Sequence, residues 1–504
     1  MKKIIVSLFI VIIAYTNAFT NNLLVENVVV PNSNSINFDI SWNNSWHTSL
    51  NWDAIWIFVK VQDCEGTATW DHLDLSTDPL DHSVSGGTDL TVETTTDGKG
   101  IFIKRNSNGF GSQSGNVTLM FANPIPQYEE INFHVFGVEM VWVPQGSFKV
   151  GDGSTDNETH STASLGSHFS PFPKEITSED LIPMDDLCND KPSDNGITRH
   201  PEIPATFPKG FNGFYCMKYE ISQQQYAVFL NKLSFIEQQT RMANNAFDPV
   251  GTLVMTTAGY QNRNGIRIKQ TSGGAPAIVD VDLNGDGAYG DGNSIACNYM
   301  SWSDLLAYLD WAALRPMTEL EYEKAARGPL EPILTEYVWG NTSILQAKSD
   351  ELLNPGTDSE ISNTSGDGLC AHGTGPSETL GPLRTGFAAT ATTIRTTSGA
   401  SYWGIMDLSG NLQEQTISIG FLDNGVRPPI SHIFIGENGD GMLDEDGNSN
   451  ISTWPSANTV GAVIRRGGDW QSSSQRAQTS DRAFVNITLT ERSSQVGGRG
   501  VRTP

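Results

Sequence analysis

The chain has 504 residues, with 57 acidic against 31 basic side chains and a formal net charge of -26. That length exceeds one ordinary hydrophobic core and predicts two domains, or one large domain with an appendage. The charge argues against nucleic acid, whose phosphates need a basic face, and against electrostatic docking on anionic lipid; it is compatible with calcium, which takes oxygen ligands, and equally with plain solubility.

The first twenty residues read MKKIIVSLFIVIIAYTNAFT. Lys2 and Lys3 precede an apolar run from Ile4 to Ala14, and Thr16-Asn17-Ala18 outlines a cleavage site, so residues 1–18 are expected to be a signal peptide. The run is short for a transmembrane helix, and no later stretch is long and apolar enough to span a bilayer. No cysteine follows the run, so no lipid anchor is expected, and a periplasmic or secreted location is. The five cysteines, Cys64, Cys188, Cys216, Cys297 and Cys370, lie far apart with no C-x-x-C pair. Neither a zinc site nor a redox pair is signalled, and any disulfide pairing stays open.

Residues 20–138 read as a small β-sandwich domain. Ile36 to Trp42 alternates apolar and polar, as a half-buried strand does. Ala54 to Val59 is continuously apolar and predicts a strand buried on both faces. Ile101–Ile103, Val117–Phe121 and the alternating Ile131–Phe136 continue the pattern, with turns at Ser85-Gly86-Gly87 and Asp97-Gly98. No motif here carries chemistry, and His47, His72 and His82 read as ordinary histidines.

The character changes near Val138. Glu139–Phe148 predicts a strand, a turn and a second strand start, followed by a polar surface segment to about Pro208. Phe214–Ile221 predicts a strand. Tyr226, Phe229, Leu230 and Leu233 share one helical face, and Asp304–Ala313 predicts a second helix. A third helix opens after Thr318, with Glu321 three residues on as a capping-box carboxylate and Gly328-Pro329 as a stop. Acidic residues crowd its first turns, where the helix dipole favours them. The remainder, to Pro504, is glycine-punctuated and irregular.

Several segments together resemble the formylglycine-generating enzyme (sulfatase-modifying factor) family. They are Glu139–Phe148, Lys218-Tyr219-Glu220-Ile221 with Gln225-Tyr226, Leu314–Gly328, Leu408–Glu414, Arg466-Gly467-Gly468-Asp469-Trp470 and Gly500-Val501-Arg502. They occur in family order over residues 139–504, the second expected domain. The resemblance implies an α+β, loop-rich C-type-lectin-like fold following the sandwich, with the third helix tying loops down through Glu319, Glu321, Glu323 and Arg327 by charge-assisted hydrogen bonds. It also places the family's closing motif at the end of this sequence, so no appended sorting domain is expected.

Family enzymes oxidise a sulfatase cysteine with oxygen through two copper-binding cysteines. The resemblance puts those positions near Ser472 and Ala477, and no cysteine follows Cys370. A hydroxyl is a poor Cu(I) ligand, so copper is not expected and no catalytic residue is assigned. Iron is not expected either: no histidine follows His432, and the spacing of His160, His168 and His200 fits no ligand motif. Ser472, Ser473 and Ser474 lack the surroundings of a hydrolase nucleophile.

Calcium is the expected cofactor. The resemblance implies a site made by Asp407, the carbonyls of Gly410 and Leu412, and Glu414; a turn held without metal by Asp407 and Asn411 is the alternative. Asp282, Asn284 and Asp286 copy the first half of an EF-hand loop, but position twelve would be Asn293, and turn chemistry explains the same residues. The family groove would be walled by Trp470, Ser472, Arg476, Asp481 and Arg482, as a peptide or sugar surface or as a packed tryptophan with ion pairs. Three functions remain: a non-catalytic, calcium-stabilised binding or structural module of the cell envelope with a protein or glycan partner; an oxidoreductase with displaced metal ligands, drawn from His160, His168, His200 and Cys188; and a glycan-binding adhesin displaying Trp42, Trp46, Trp52 and Trp70.

Overall fold

The computed structural model describes residues 23–63, 69–153, 173–183, 202–257, 261–271, 273–348, 351–373, 381–419, 433–459, 461–484 and 489–504. The expected signal peptide, Cys64, Cys188, His160, His168, His200 and His432 lie outside them. Strands dominate, and the helices are short. Among the described residues no helix is long and apolar enough to cross a membrane.

The strands expected before residue 138 form, and two sheets contain them. Leu24–Asn32, Ser35–His47, Gly109–Met120 and Ser83–Ser85 build a four-stranded sheet. Asp53–Asp63 lies in a seven-stranded sheet, antiparallel to Ile131–Val143 along its whole length, from Asp53 opposite Val141 to Asp63 opposite Ile131. Side chains alternate across a strand, so Asp53–Asp63 serves two cores. Ile55, Ile57 and Val59 face an apolar cluster shared with Ile36, Phe38, Ile40, Val117 and Leu119 of the first sheet. Ala54, Trp56 and Phe58 join a second cluster containing Tyr226, Phe229, Tyr308 and Trp311 from the later helices. This is the continuous burial that the Ala54–Val59 run predicts.

The boundary drawn at residues 138 and 139 falls inside the strand Ile131–Val143. Beyond Gly137 that strand also pairs with Phe214–Met217, which in turn pairs with Val501–Arg502. One sheet therefore passes through both halves of the sequence. Further ties join them: Trp56 Nε1 donates to Ala312 O at 2.9 Å, Trp52 Nε1 to the Tyr215 hydroxyl at 2.9 Å, and Asn51 Nδ2 to Trp403 O at 2.8 Å. Arg502 donates to both Asp97 oxygens, at 2.6 and 2.7 Å, with its guanidinium 4.1 Å from the Trp56 ring centroid.

The helices α1 (Gln223–Leu230), α2 (Phe235–Arg241), α3 (Trp302–Trp311) and α4 (Glu319–Arg327) each begin with a capping box, from Ser222, Ser234, Ser301 and Thr318. Helix α2 is absent from the sequence reading, although Ser234 with Glu237 three residues later is the signal for it.

Helix α4 is buried along its length, charged residues included. Glu319 accepts from Arg482 at 2.7 and 2.9 Å and from Arg466 at 3.2 Å. Glu321 accepts from Arg315 at 2.7 and 2.9 Å. Glu323 accepts from Arg466 at 2.8 Å, Arg327 at 3.0 Å and the Gly151 amide at 2.8 Å, while Arg327 also pairs with Glu336. Burial would raise the Glu319 carboxyl, yet the guanidinium groups of Arg482 and Arg466 hold it below its ordinary value. One short helix thus ties several separate chain segments together by charge-assisted bonds. Its Tyr322 hydroxyl donates to Leu408 O, which carries the scaffold directly to the candidate site.

Candidate functional site

The loop before the strand Gln413–Ile417 is wound by left-handed backbone at Asp407 (φ 58°), Gly410 (φ 81°) and Asn411 (φ 61°). Gly410 is required: a Cβ there would lie 2.4 Å from Cys370 Sγ and 2.5 Å from Ala371 O. The Gly410 amide donates to Gly467 O at 2.7 Å, and the Leu412 amide donates to Glu220 Oε1 at 2.9 Å. Asn411 Nδ2 donates to the other Glu220 oxygen at 2.5 Å, while Asn411 Oδ1 accepts from the Leu383 amide at 2.8 Å.

Three carboxylates gather under this loop. Glu220, Asp407 and Glu414 are all buried. Asp407 Oδ2 accepts from the Gly386 amide at 2.5 Å, and Glu414 Oε1 accepts from Arg499 Nε at 2.5 Å. Burial raises all three carboxyls above their ordinary values; the charges of Asp407 and Glu414 push Glu220 further, and Asp407 pushes Glu414. Burial alone would lower Arg499, but Glu414 and its neighbours hold that guanidinium above its usual range. Glu414 Oε2 is buried with no hydrogen-bond partner among the described residues.

Carboxylate and carbonyl oxygens are the donor type that a hard cation takes, though both oxygens of Glu220 already accept hydrogen bonds. Arg499 and Arg384 offset part of the carboxylate charge, and Glu414 Oε2 has no partner among the described residues. Among the described residues no three His, Cys, Asp or Glu side chains converge as a metal cluster. A cation here would need main-chain oxygens beside Asp407 and Glu414, as the pairing with Gly410 and Leu412 supposes. Glu220 is the residue the sequence reading missed; it stood inside the Lys218-Tyr219-Glu220 motif, read only for likeness.

At the two expected thiol positions the side chains are occupied otherwise. The Ser472 hydroxyl donates to Asp469, which also accepts from the Ser472 amide at 3.1 Å and from Gln413 Nε2 at 2.6 Å. Ala477 is buried, and its carbonyl accepts from Ser409 Oγ at 2.6 Å. The described cysteines Cys216, Cys297 and Cys370 are free thiols in the interior. Burial raises each of them, Cys216 to about 12, so none is held as a thiolate.

The five groove residues divide. Trp470 packs against Ala296 and Leu412 and donates Nε1 to Ser494 O at 2.9 Å. Arg482 is spent on Glu319, and Asp481 is buried against Arg476 at 3.2 Å. Ser472 and Arg476 are the partly exposed members. The packing-and-ion-pair alternative accounts for Trp470, Asp481 and Arg482.

In the second acidic loop, Asp282 accepts from the amides of Gly285 at 2.7 Å and Gly287 at 2.9 Å; Asn284 accepts from Asp286, and Asp286 from Ala288. The side chains close their own turns, which is the chemistry of Asx turns. Of the four tryptophans, Trp42 is buried and donates to Asp53, Trp52 stacks between His47 and Trp142, and the Trp70 ring lies 3.6 Å from Lys232 Nζ. Trp46 keeps a partly open face.

Comparison with known proteins adds a family-level match. The description "Sulfatase-modifying factor enzyme 1-like domain" fits residues 134–504. A formylglycine-generating enzyme of Thermomonospora curvata is 30% identical over 164 residues, 28% of this chain and 48% of that protein. The formylglycine-generating enzyme of Mus musculus is 28% identical over 180 residues, 34% of this chain and 44% of that protein. The Bos taurus enzyme is 27% identical over 197 residues, 38% of this chain and 49% of that protein. The chain spans about half the length of the curated relatives it matches.

Proposed function

Since the chain belongs to the sulfatase-modifying factor enzyme 1-like family across residues 134–504, we propose that it is a non-catalytic member, an exported and calcium-stabilised binding or structural module of the cell envelope. The observation that carries this reading is the state of the two thiol positions. Ser472 is bound to Asp469 and Ala477 is packed in the core, and no described cysteine is exposed to take their place. Soft thiolate ligands for Cu(I) are missing where the family chemistry needs them.

Calcium supports the fold in this reading. Asp407 and Glu414 would give carboxylate oxygens, and Gly410 and Leu412 their main-chain carbonyls. The ion would offset the buried negative charge and pin the loop. The same loop is also held by hydrogen bonds to Tyr322 of α4 and to Glu220. Export rests on residues 1–18 and a C-type-lectin-like arrangement on the family resemblance.

An oxidoreductase using His160, His168, His200 or Cys188 is the competing function. Both are tested by incubating the purified protein with a cysteine-containing sulfatase-type peptide, oxygen and Cu(I), or separately Fe(II), and reading the peptide by mass spectrometry. The expected product is unchanged cysteine. Catalytic conversion to formylglycine contradicts the non-catalytic reading.

A further inference from the structure

The strand Ser35–His47 and the segment from Arg384 to Met406 enclose a cleft of ≈ 640 Å³. It lies apart from the thiol positions and beside the carboxylate cluster, with which it shares Gly386, but none of the three carboxylates lines it. Its size lies in the range of small-molecule pockets, roughly 300–1,000 Å³. Among the described residues, three cationic side chains line it, Lys218, Arg384 and Arg395, and no Asp or Glu does. On a chain of net charge -26 that is a local inversion of sign.

The three cations differ in how much of their charge is already answered. Lys218 is neutralised from behind by Glu139 at 3.1 Å and Asp53 at 3.7 Å. The Arg384 guanidinium donates to the main-chain carbonyls of Glu360 at 2.7 Å, Thr385 at 3.0 Å and Gly386 at 3.0 Å, and its charge is felt by buried Asp407 behind the cleft. Arg395 donates Nη2 to Val338 O at 2.7 Å, and its Nε is buried without a hydrogen-bond partner among the described residues. The carboxylate whose charge Arg395 feels, Glu336, is paired with Arg327. Two guanidinium groups thus reach the cleft with no carboxylate hydrogen-bonded to either among the described residues.

Aromatic rings complete the wall. Trp46 and Tyr402 are both partly exposed and line the cleft, and the Arg395 guanidinium lies 5.5 Å from the Tyr402 ring centroid. Gly404 gives the Trp46 ring its seat, since a Cβ there would come within 2.9 Å of it. A guanidinium is the group that recognises an oxyanion, through parallel N–H donors. A tryptophan or tyrosine face offers flat contact area beside a polar edge. The ligand that satisfies both is a ring carrying an oxyanion on a short arm.

We propose that this cleft binds an acidic saccharide, a sugar bearing a carboxylate or sulfate, with the oxyanion on Arg384 and Arg395 and the ring against Trp46 and Tyr402. The site stands on its own residues and goes beyond the non-catalytic reading, which the peptide assay above tests separately.

Calorimetry at fixed calcium, with the full mature chain, tests it. The probes are a uronic-acid disaccharide, a sulfated disaccharide, a neutral disaccharide, inorganic sulfate and an acidic peptide. The expected result is that one or both charged sugars bind and the neutral one does not, with sulfate alone competing weakly. The first two probes identify which oxyanion is read. Arg395→Gln should weaken binding by about tenfold or more, the scale of a lost charged hydrogen bond. Ala391→Glu, at the exposed rim, should do the same without touching the core. Unchanged unfolding midpoints confirm that both variants fold. Equal binding of the neutral sugar, no binding of either charged sugar at millimolar concentration, tighter binding of the peptide, or indifference of both variants overturns the proposal.

Discussion

Lys60 shows how much a single buried charge constrains this protein. Its ammonium group is buried between the two halves of the sequence, donating to Gly441 O at 2.5 Å and lying 5.1 Å from the Trp311 ring centroid. Burial lowers it to about 7, against the opposing pull of Asp310 and Asp440. A lysine lowered on folding holds its proton less tightly in the native state, so its effect on stability is least favourable below pH 7. Stability then rises as pH increases from about 7 towards the ordinary lysine value of 10.5, by up to ~1.4 kcal/mol per pH unit. Lys60→Met removes that slope. Urea unfolding of both proteins across that window should show the wild type gaining on the variant as pH rises. A constant difference would mean that Lys60 does not titrate there.

At the scale of one element, α4 was the most legible part of the chain. Thr318, Glu321 and Gly328 announced its limits, and the structure places its cap and stop at those residues. The role of its carboxylates was also expected from the resemblance. The partners of Glu319 and Glu323 were not legible, because Arg466, Ser480 and Arg482 lie more than a hundred residues away and no local pattern reports such pairing. The same limit hid Glu220 from the candidate site and the inward turn of Trp470 and Arg482 from the expected groove. Thr318→Ala should cost about 1 kcal/mol, the value of a helix cap. Glu319→Gln should cost more, on the order of 3–5 kcal/mol, because it removes the buried negative charge shared by Arg482 and Arg466, of which Arg466 keeps Glu323. Equal losses in equilibrium unfolding would show that the buried pairs are not held as drawn.

For the whole molecule, the seven-stranded sheet decides what can be separated. The continuous apolar run Ala54–Val59 already said that something must cover both faces, but the sequence could not say that the second cover is the later, family-matched segment. Residues 139–504 alone would lose the Asp53–Asp63 partner of the strand ending at Val143 and bare the apolar face around Phe229 and Trp311. Such an edge and patch promote association. That fragment should be insoluble or lack a cooperative transition. A soluble monomer with the full chain's midpoint would show that the N-terminal strands are dispensable.

The proposed function stands on two expectations, that the chain takes up no copper or iron and that the Asp407–Glu414 loop holds calcium. Elemental mass spectrometry of the purified protein, before and after chelation, tests them most directly. The account predicts calcium, lost on chelation with a fall in the unfolding midpoint, and neither copper nor iron. Stoichiometric copper or iron would contradict it and direct the search for ligands to His160, His168, His200 and Cys188.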